Sequence, residues 1–174
     1  MTKRNPYGRN GPDRQSLATP RWLIEALGKR GAGISLDVCA EWCTAAAEDY
    51  FDVKVDGLRQ SWSTSAWAFC NPPFSAAAAW ANKAILERRD GAHVLMLLPF
   101  VPGTRWFRVL FPHCCRVELI VPRLNYIDPV SWEVQKGVGF NSCLAWLKPG
   151  RVHPSSQQLE LGYWEIREPK EKTK

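Results

Sequence analysis

The sequence predicts an α/β fold, with a mainly parallel sheet and helices on both faces. Three observations carry this. Short apolar runs of strand length recur along the chain. Between them lie stretches whose apolar residues return every three to four positions, as on one face of a helix. No repeat or internal linker divides the middle of the 174 residues, a length that suits one domain with a substantial core. Strands alternating with helices favour crossover connections and hence parallel strands.

The elements follow in order. Residues 1–17 are rich in Asn, Gly, Pro, Arg and Lys and read as a flexible basic arm; residues 167–174 read as a charged tail, leaving 18–166 as the domain. Thr19 is an N-cap candidate with Pro20 at the first helical position, and Trp22, Leu23, Ala26 and Leu27 supply one apolar face before Gly28 and Gly31. Ile34 to Ala40 reads as a buried strand that delivers Asp37 at or near its end. Cys43 to Tyr50 is either a short helix or an irregular loop. Asp56-Gly57-Leu58 makes a turn, and Trp62 follows. Ala66 to Cys70 is a strand that runs directly into Asn71-Pro72-Pro73-Phe74. Ser75 can cap the next helix, Ala76 to Arg88, before the turn at Asp90-Gly91. Val94 to Pro99 is the clearest buried strand. Gly103 to Phe111 reads as helix, and Arg116–Val121 and Asn141–Leu147 as strands. In open sheets of this kind, ligands bind at the carboxyl ends of strands, which points to Asp37, Asn71 and Pro99.

The net charge of +6 favours polyanionic partners such as nucleic acid. There is no run of eighteen apolar residues for a membrane span and no apolar signal core near Met1, so a cytoplasmic protein with no membrane partner is expected. Six irregularly spaced cysteines without a C-x-x-C pair, and three scattered histidines, speak against a metal site. Most of the nine tryptophans are expected as core or interface anchors.

Asn71-Pro72-Pro73-Phe74 is the segment that carries chemistry. Two prolines lack N–H groups and fix φ, and Asn71 before proline is pushed towards an extended conformation. The product is a rigid corner with an amide side chain, bare carbonyls and an aromatic ring. Such a corner suits a planar exocyclic amine: the Asn71 oxygen and the Pro72 carbonyl can each accept one N–H, and Phe74 can stack on the ring. The lone pair of adenine's amine is delocalised and poorly nucleophilic. Two acceptors favour charge build-up on nitrogen as it attacks, which stabilises the transition state rather than the ground state. The methyl donor expected is S-adenosyl-L-methionine. A strand-ending turn with a packed Phe is the plain structural alternative.

The chain resembles the phage-type DNA N6-adenine methyltransferases, the phage Dam family, over residues 19–148 or so. The resemblance rests on Thr19-Pro20, Leu36-Asp37-Val38-Cys39-Ala40, Asp56-Gly57-Leu58 with Trp62, Asn71-Pro72-Pro73-Phe74, the helix with Trp80 and Lys83, Leu97-Leu98-Pro99, Trp106-Phe107, Arg123-Leu124-Asn125-Tyr126 and Asn141-Ser142. It implies a compact Rossmann-like methyltransferase fold that uses S-adenosyl-L-methionine. It implies that Thr19, Asp37, Cys39, Ala40 and Asp56 bind the cofactor. Asn71, Pro72 and Phe74 would hold the target adenine, with Pro73, Ser75 and Arg123 also touching the substrate. The glycine-rich cofactor loop usual in methyltransferases is absent; Asp37-Val38-Cys39-Ala40-Glu41 stands in its place. The step from Asp37 to Asp56 is short for a full strand–helix–strand unit, which leaves the acidic ribose ligand without an obvious position.

A base inside a duplex must be flipped out to reach this corner, at about a few kcal/mol of unstacking. Candidate phosphate contacts are Arg4, Arg9, Arg14, Lys83, Arg88, Arg89, Arg105, Arg108 and Arg123, with Lys83, Arg88 and Arg89 expected mostly on the solvent side of their helix. Residues 122–140 lack periodicity and are the candidate target-recognition loop. Two other readings fit the same residues: a methyltransferase acting on an RNA base or a protein glutamine, and a catalytically idle DNA-binding or anti-restriction protein with this fold.

Overall fold

The computed structural model describes residues 17–129, 131–136, 138–150 and 159–167. Its strands are β1 (Ile34–Asp37), β2 (Trp67–Cys70), β3 (His93–Pro99), β4 (Arg116–Val121), β5 (Tyr126–Ile127), β6 (Val134–Gln135), β7 (Ser142–Leu147) and β8 (Glu160–Glu165). Its helices are α1 (Arg21–Lys29), α2 (Ala77–Arg89) and α3 (Arg105–Leu110). One sheet has the order β1-β2-β3-β7-β4-β8, and β5 and β6 form a separate hairpin. Pairings β1–β2, β2–β3 and β4–β8 are parallel, whereas β7 is antiparallel to both β3 and β4. Every strand of the six-stranded sheet but β7 therefore points the same way. The sequence expectation of a mainly parallel α/β sheet is met.

Alternation along the strands explains the layers. Val94, Met96 and Leu98 of β3 pack into one core with Ala81, Ala84 and Ile85 of α2 and Phe107 of α3. Leu95 and Leu97 face the other side and meet Leu23 and Leu27 of α1. Helices thus cover both faces. Each fully buried Leu or Val is worth about 1.5–3 kcal/mol of transfer free energy, so the central strand is the main anchor of the sheet.

Several local expectations are corrected. Thr19 does not cap α1: the N-cap residue is Pro20, with no side-chain cap, because the Thr19 hydroxyl accepts a hydrogen bond from Asn71 instead. Ser75 does not cap α2 either. It lies inside a 3-10 turn, Phe74–Ala76, and Ala76 precedes the helix. Of the two alternatives for Cys43 to Tyr50, the irregular loop is the one observed. Arg88 is buried rather than solvent-facing, and its backbone carbonyl accepts the Gly150 N–H. Lys83 pairs with Glu87, a buried carboxylate that also accepts the Trp62 backbone N–H at 2.7 Å. Residues 122–140 are not uniformly surface: Leu124, Tyr126 and Val138 are core. Strand β8 was not anticipated. Apart from Leu17, which is buried, and Arg167, the expected basic arm and charged tail lie outside the described residues. Among the described residues no helix is long and apolar enough to cross a membrane.

Candidate active site

Strands β1 and β2 are parallel neighbours, so their carboxyl ends lie side by side. Asp37 pairs with Phe69, and Val38 N–H donates to the Phe69 carbonyl at 2.9 Å. This puts the loop after Asp37 beside the Asn71 corner. A cavity of about 410 Å³ opens there, lined by Leu17 to Thr19, Asp37 to Glu41, Phe51 to Val53, Asp56, Gly57, Asn71, Pro73, Trp80 and others. That volume lies in the range of small-molecule sites. Four of the lining residues are carboxylates (Asp37, Glu41, Asp52 and Asp56) and none is Lys or Arg. The cavity is thus locally acidic in a chain of net charge +6, a field that attracts cationic groups.

The amide of Asn71 is oriented by its neighbours. Its Nδ2 donates to the Leu17 carbonyl at 2.9 Å and to Thr19 Oγ1 at 3.0 Å. A carbonyl can only accept, so the nitrogen must face Leu17. Oδ1 has no donor among the described residues and is left to accept from a ligand.

Asp37 organises the neighbouring loop. Its carboxylate accepts the backbone N–H of Ala46 at 2.9 Å and of Cys39 at 3.1 Å. Burial raises its pKa from 3.8 to about 6, against the lowering by those two bonds. Burial, with the nearby carboxylates of Asp37 and Glu41, pushes the Cys39 thiol up to about 12, so it stays neutral.

Residues 49–51 run alongside the free edge of β1. Asp37 N–H donates to the Asp49 carbonyl at 2.9 Å, and Phe51 N–H to the Asp37 carbonyl at 2.8 Å. A short parallel bridge thus replaces the full strand–helix–strand step, which explains the short spacing from Asp37 to Asp56. It also brings Asp52 to the cavity. Sequence reasoning missed Asp52, because a single bridging residue pair carries no strand signature of its own.

The glycine missing from the loop after Asp37 is supplied from the opposite wall. A Cβ on Gly57 would lie 2.0 Å from the Val38 carbonyl oxygen and 3.3 Å from the Trp80 ring. Only glycine allows that approach. Asp56 before it has φ 56°, held by its side chain accepting Leu58 N–H at 3.2 Å. Trp62 Nε1 donates to the Gly57 carbonyl at 2.8 Å and stacks on Trp80 at 5.9 Å between ring centroids. The Asp56-Gly57-Leu58…Trp62 pattern is therefore one clamp on the β1 loop.

The predicted site residues divide. Thr19, Asp37, Cys39, Ala40, Asp56, Asn71 and Pro73 share the cavity. Pro72 is buried and is not among the lining residues. Phe74 does not line it: the ring meets Phe140 edge-on at 4.8 Å and Tyr126 at 6.2 Å. Ser75 and Arg123 are exposed and outside the cavity, and Arg123 Nε donates to Asn141 Oδ1 at 3.4 Å. Among the described residues no group of His, Cys, Asp and Glu is arranged to hold a metal.

Residues 9–148 match the model of the family described as DNA N-6-adenine-methyltransferase (Dam). A curated protein of Escherichia phage T1, named DNA N-6-adenine-methyltransferase, is 30% identical over 109 residues. The match covers 62% of this chain and 46% of that protein, so the chain spans less than half the length of its relative.

Proposed function

The chain belongs to the DNA N-6-adenine-methyltransferase (Dam) family, and we propose that it transfers a methyl group from S-adenosyl-L-methionine to the N6 amine of adenine in DNA. The observation that carries this reading is the fixed amide of Asn71, which lines an acidic cavity and whose Oδ1 has no donor among the described residues. The sheet order is read as a compact Rossmann-like methyltransferase fold, with the ligand at the carboxyl ends of β1 and β2.

The cavity residues fit the cofactor. Asp56 and Asp52 each use one carboxylate oxygen on backbone N–H groups, leaving the other for the amine or hydroxyls of an adenosine. Asp37 and Glu41 suit the cationic methionine end, with Cys39 and Ala40 as the floor between. Thr19 borders the same end. When bound, S-adenosyl-L-methionine supplies a methyl group that its sulfonium already makes electrophilic.

The remaining steps belong to the protein. The Asn71 oxygen and the Pro72 carbonyl each accept one hydrogen of the target amine. As nitrogen attacks, its N–H groups become more acidic, and both bonds strengthen; that difference between ground and transition state is the catalytic contribution. Phe74, braced by Phe140 and Tyr126, forms a rigid aromatic wall beside the base. Arg105 at the start of α3 and Arg123 after β4 are exposed beyond the same end of the sheet as the cavity, where flanking phosphates pass. Buried Arg88 and paired Lys83 leave the set of phosphate contacts.

The test pairs wild type with Asn71→Ala on unmethylated duplex DNA and labelled cofactor. Transfer should fall at least a thousandfold in the variant, while calorimetric cofactor affinity stays within about threefold. Near-normal transfer by the variant would remove Asn71 from the mechanism.

A further inference from the structure

Between β5 and β6 lie the described residues 128, 129 and 131–133. Asp128 N–H donates to the Glu133 carbonyl at 3.0 Å, and Trp132 N–H to the Asp128 carbonyl at 2.9 Å. Asp128 Oδ1 accepts Ser131 N–H at 3.1 Å, and Ser131 Oγ accepts Glu133 N–H at 3.3 Å. The turn is well specified, yet the residue in its left-handed position is a tryptophan. Trp132 has φ 62°, a conformation that glycine or asparagine adopts with ease and a bulky side chain only at a cost. The ring does not recover that cost by burial, since Trp132 is 58% exposed. It serves neither the turn nor the core. A strained, outward-facing aromatic of this kind points to a task outside the protein.

Its attachment indicates which task. Ile127, at the base of the hairpin, exchanges two backbone hydrogen bonds with Ala18, at 2.8 and 3.0 Å. Ala18 lies between Leu17 and Thr19, the two residues that hold the Asn71 amide. Pro129 of the same turn lines the cavity. The base of the hairpin is therefore tied to the base-holding corner through one residue pair, Ala18 and Ile127.

We propose that Trp132 is a wedge that enters the base stack of duplex DNA and fills the gap left when the target adenine swings out to Asn71. A flipped base leaves two stacked neighbours facing a void. An indole stacked there restores part of the lost contact and holds the base outside. Trp132 touches DNA without taking part in the transfer itself. The inference rests on the proposed adenine chemistry.

The experiment compares wild type, Trp132→Gly, Trp132→Ala and Trp132→Phe on two substrates: a fully paired duplex, and the same duplex with an abasic site opposite the target adenine. Flipping is costly in the first and nearly free in the second. Trp132→Ala and Trp132→Gly should lose ten- to hundredfold in kcat/KM on the paired duplex and under threefold on the abasic one. Trp132→Phe should retain most of the paired-duplex rate. Trp132→Gly should melt at or above the wild-type temperature, because glycine relieves the left-handed strain, so a folding defect cannot produce the loss. Equal activity of wild type and Trp132→Ala on the paired duplex overturns the wedge and leaves the methyl-transfer reading intact. Equal losses on both substrates overturn it too, since they mark a general contact. Failure of wild type itself to methylate either substrate overturns the adenine chemistry and the wedge with it.

Discussion

Asn71 can present only its oxygen to the cavity, because Leu17 offers a carbonyl and a carbonyl accepts only an N–H. The same amide depends on Thr19 for its second acceptor. Thr19→Val should therefore slow transfer about fivefold to tenfold, the value of one hydrogen bond of about 1 kcal/mol, in kcat more than in KM. Asp37 gives the site a pH dependence. Its folded pKa of about 6 exceeds the ordinary 3.8, so the folded protein binds this proton more tightly than the unfolded chain does. The group's contribution to stability is complete below pH ~4 and is lost as pH rises through about 6. Chemical denaturation should show the stability advantage of wild type over Asp37→Ala shrinking by roughly 2 kcal/mol from pH 4 to pH 7. A cationic ligand favours the ionised carboxylate, so cofactor affinity should move the opposite way, weakening about tenfold from pH 7 to pH 5 by calorimetry.

At the scale of elements, the loop after Asp37 is shaped by three segments rather than by its own glycines. Asp37 holds Cys39 and Ala46, residues 49–51 pair along β1, and Gly57 packs on the Val38 carbonyl. Gly57→Ala forces a 2.0 Å contact with backbone and should destabilise by about 3 kcal/mol, read from the denaturation midpoint, with cofactor affinity falling in parallel. Gly28→Ala meets nothing within 4 Å and is the matched control. The strands β1 to β4 and β7 were legible because they are apolar runs bounded by turn residues. The placement of Asp37 and Asn71 at strand ends followed from that. Other features were not legible for physical reasons. Thr19 satisfies the pattern of a helix cap, but a tertiary partner 52 residues away takes its hydroxyl. Strand β8 is an exposed edge containing Gly162, without an alternating apolar face. Phe74 reads as a free stacking ring until Phe140 and Tyr126 fold against it.

The whole molecule separates its charges. A net charge of +6 coexists with a cavity lined by four carboxylates, a separation that suits the proposed pairing of a polyanionic substrate with a cationic cofactor. Duplex binding should weaken steeply with salt, and Arg105→Ala and Arg123→Ala should each reduce the slope of log K against log salt by about one. Those variants should leave cofactor affinity unchanged, because neither residue borders the cavity. The central claim is that the Asn71 corner receives adenine. Its most direct measurement is incubation of the protein with methyl-labelled cofactor and unmethylated DNA, followed by digestion and identification of the labelled nucleoside. The account predicts label in N6-methyladenine alone; label in N4-methylcytosine, label in protein, or no transfer from a bound cofactor would contradict it.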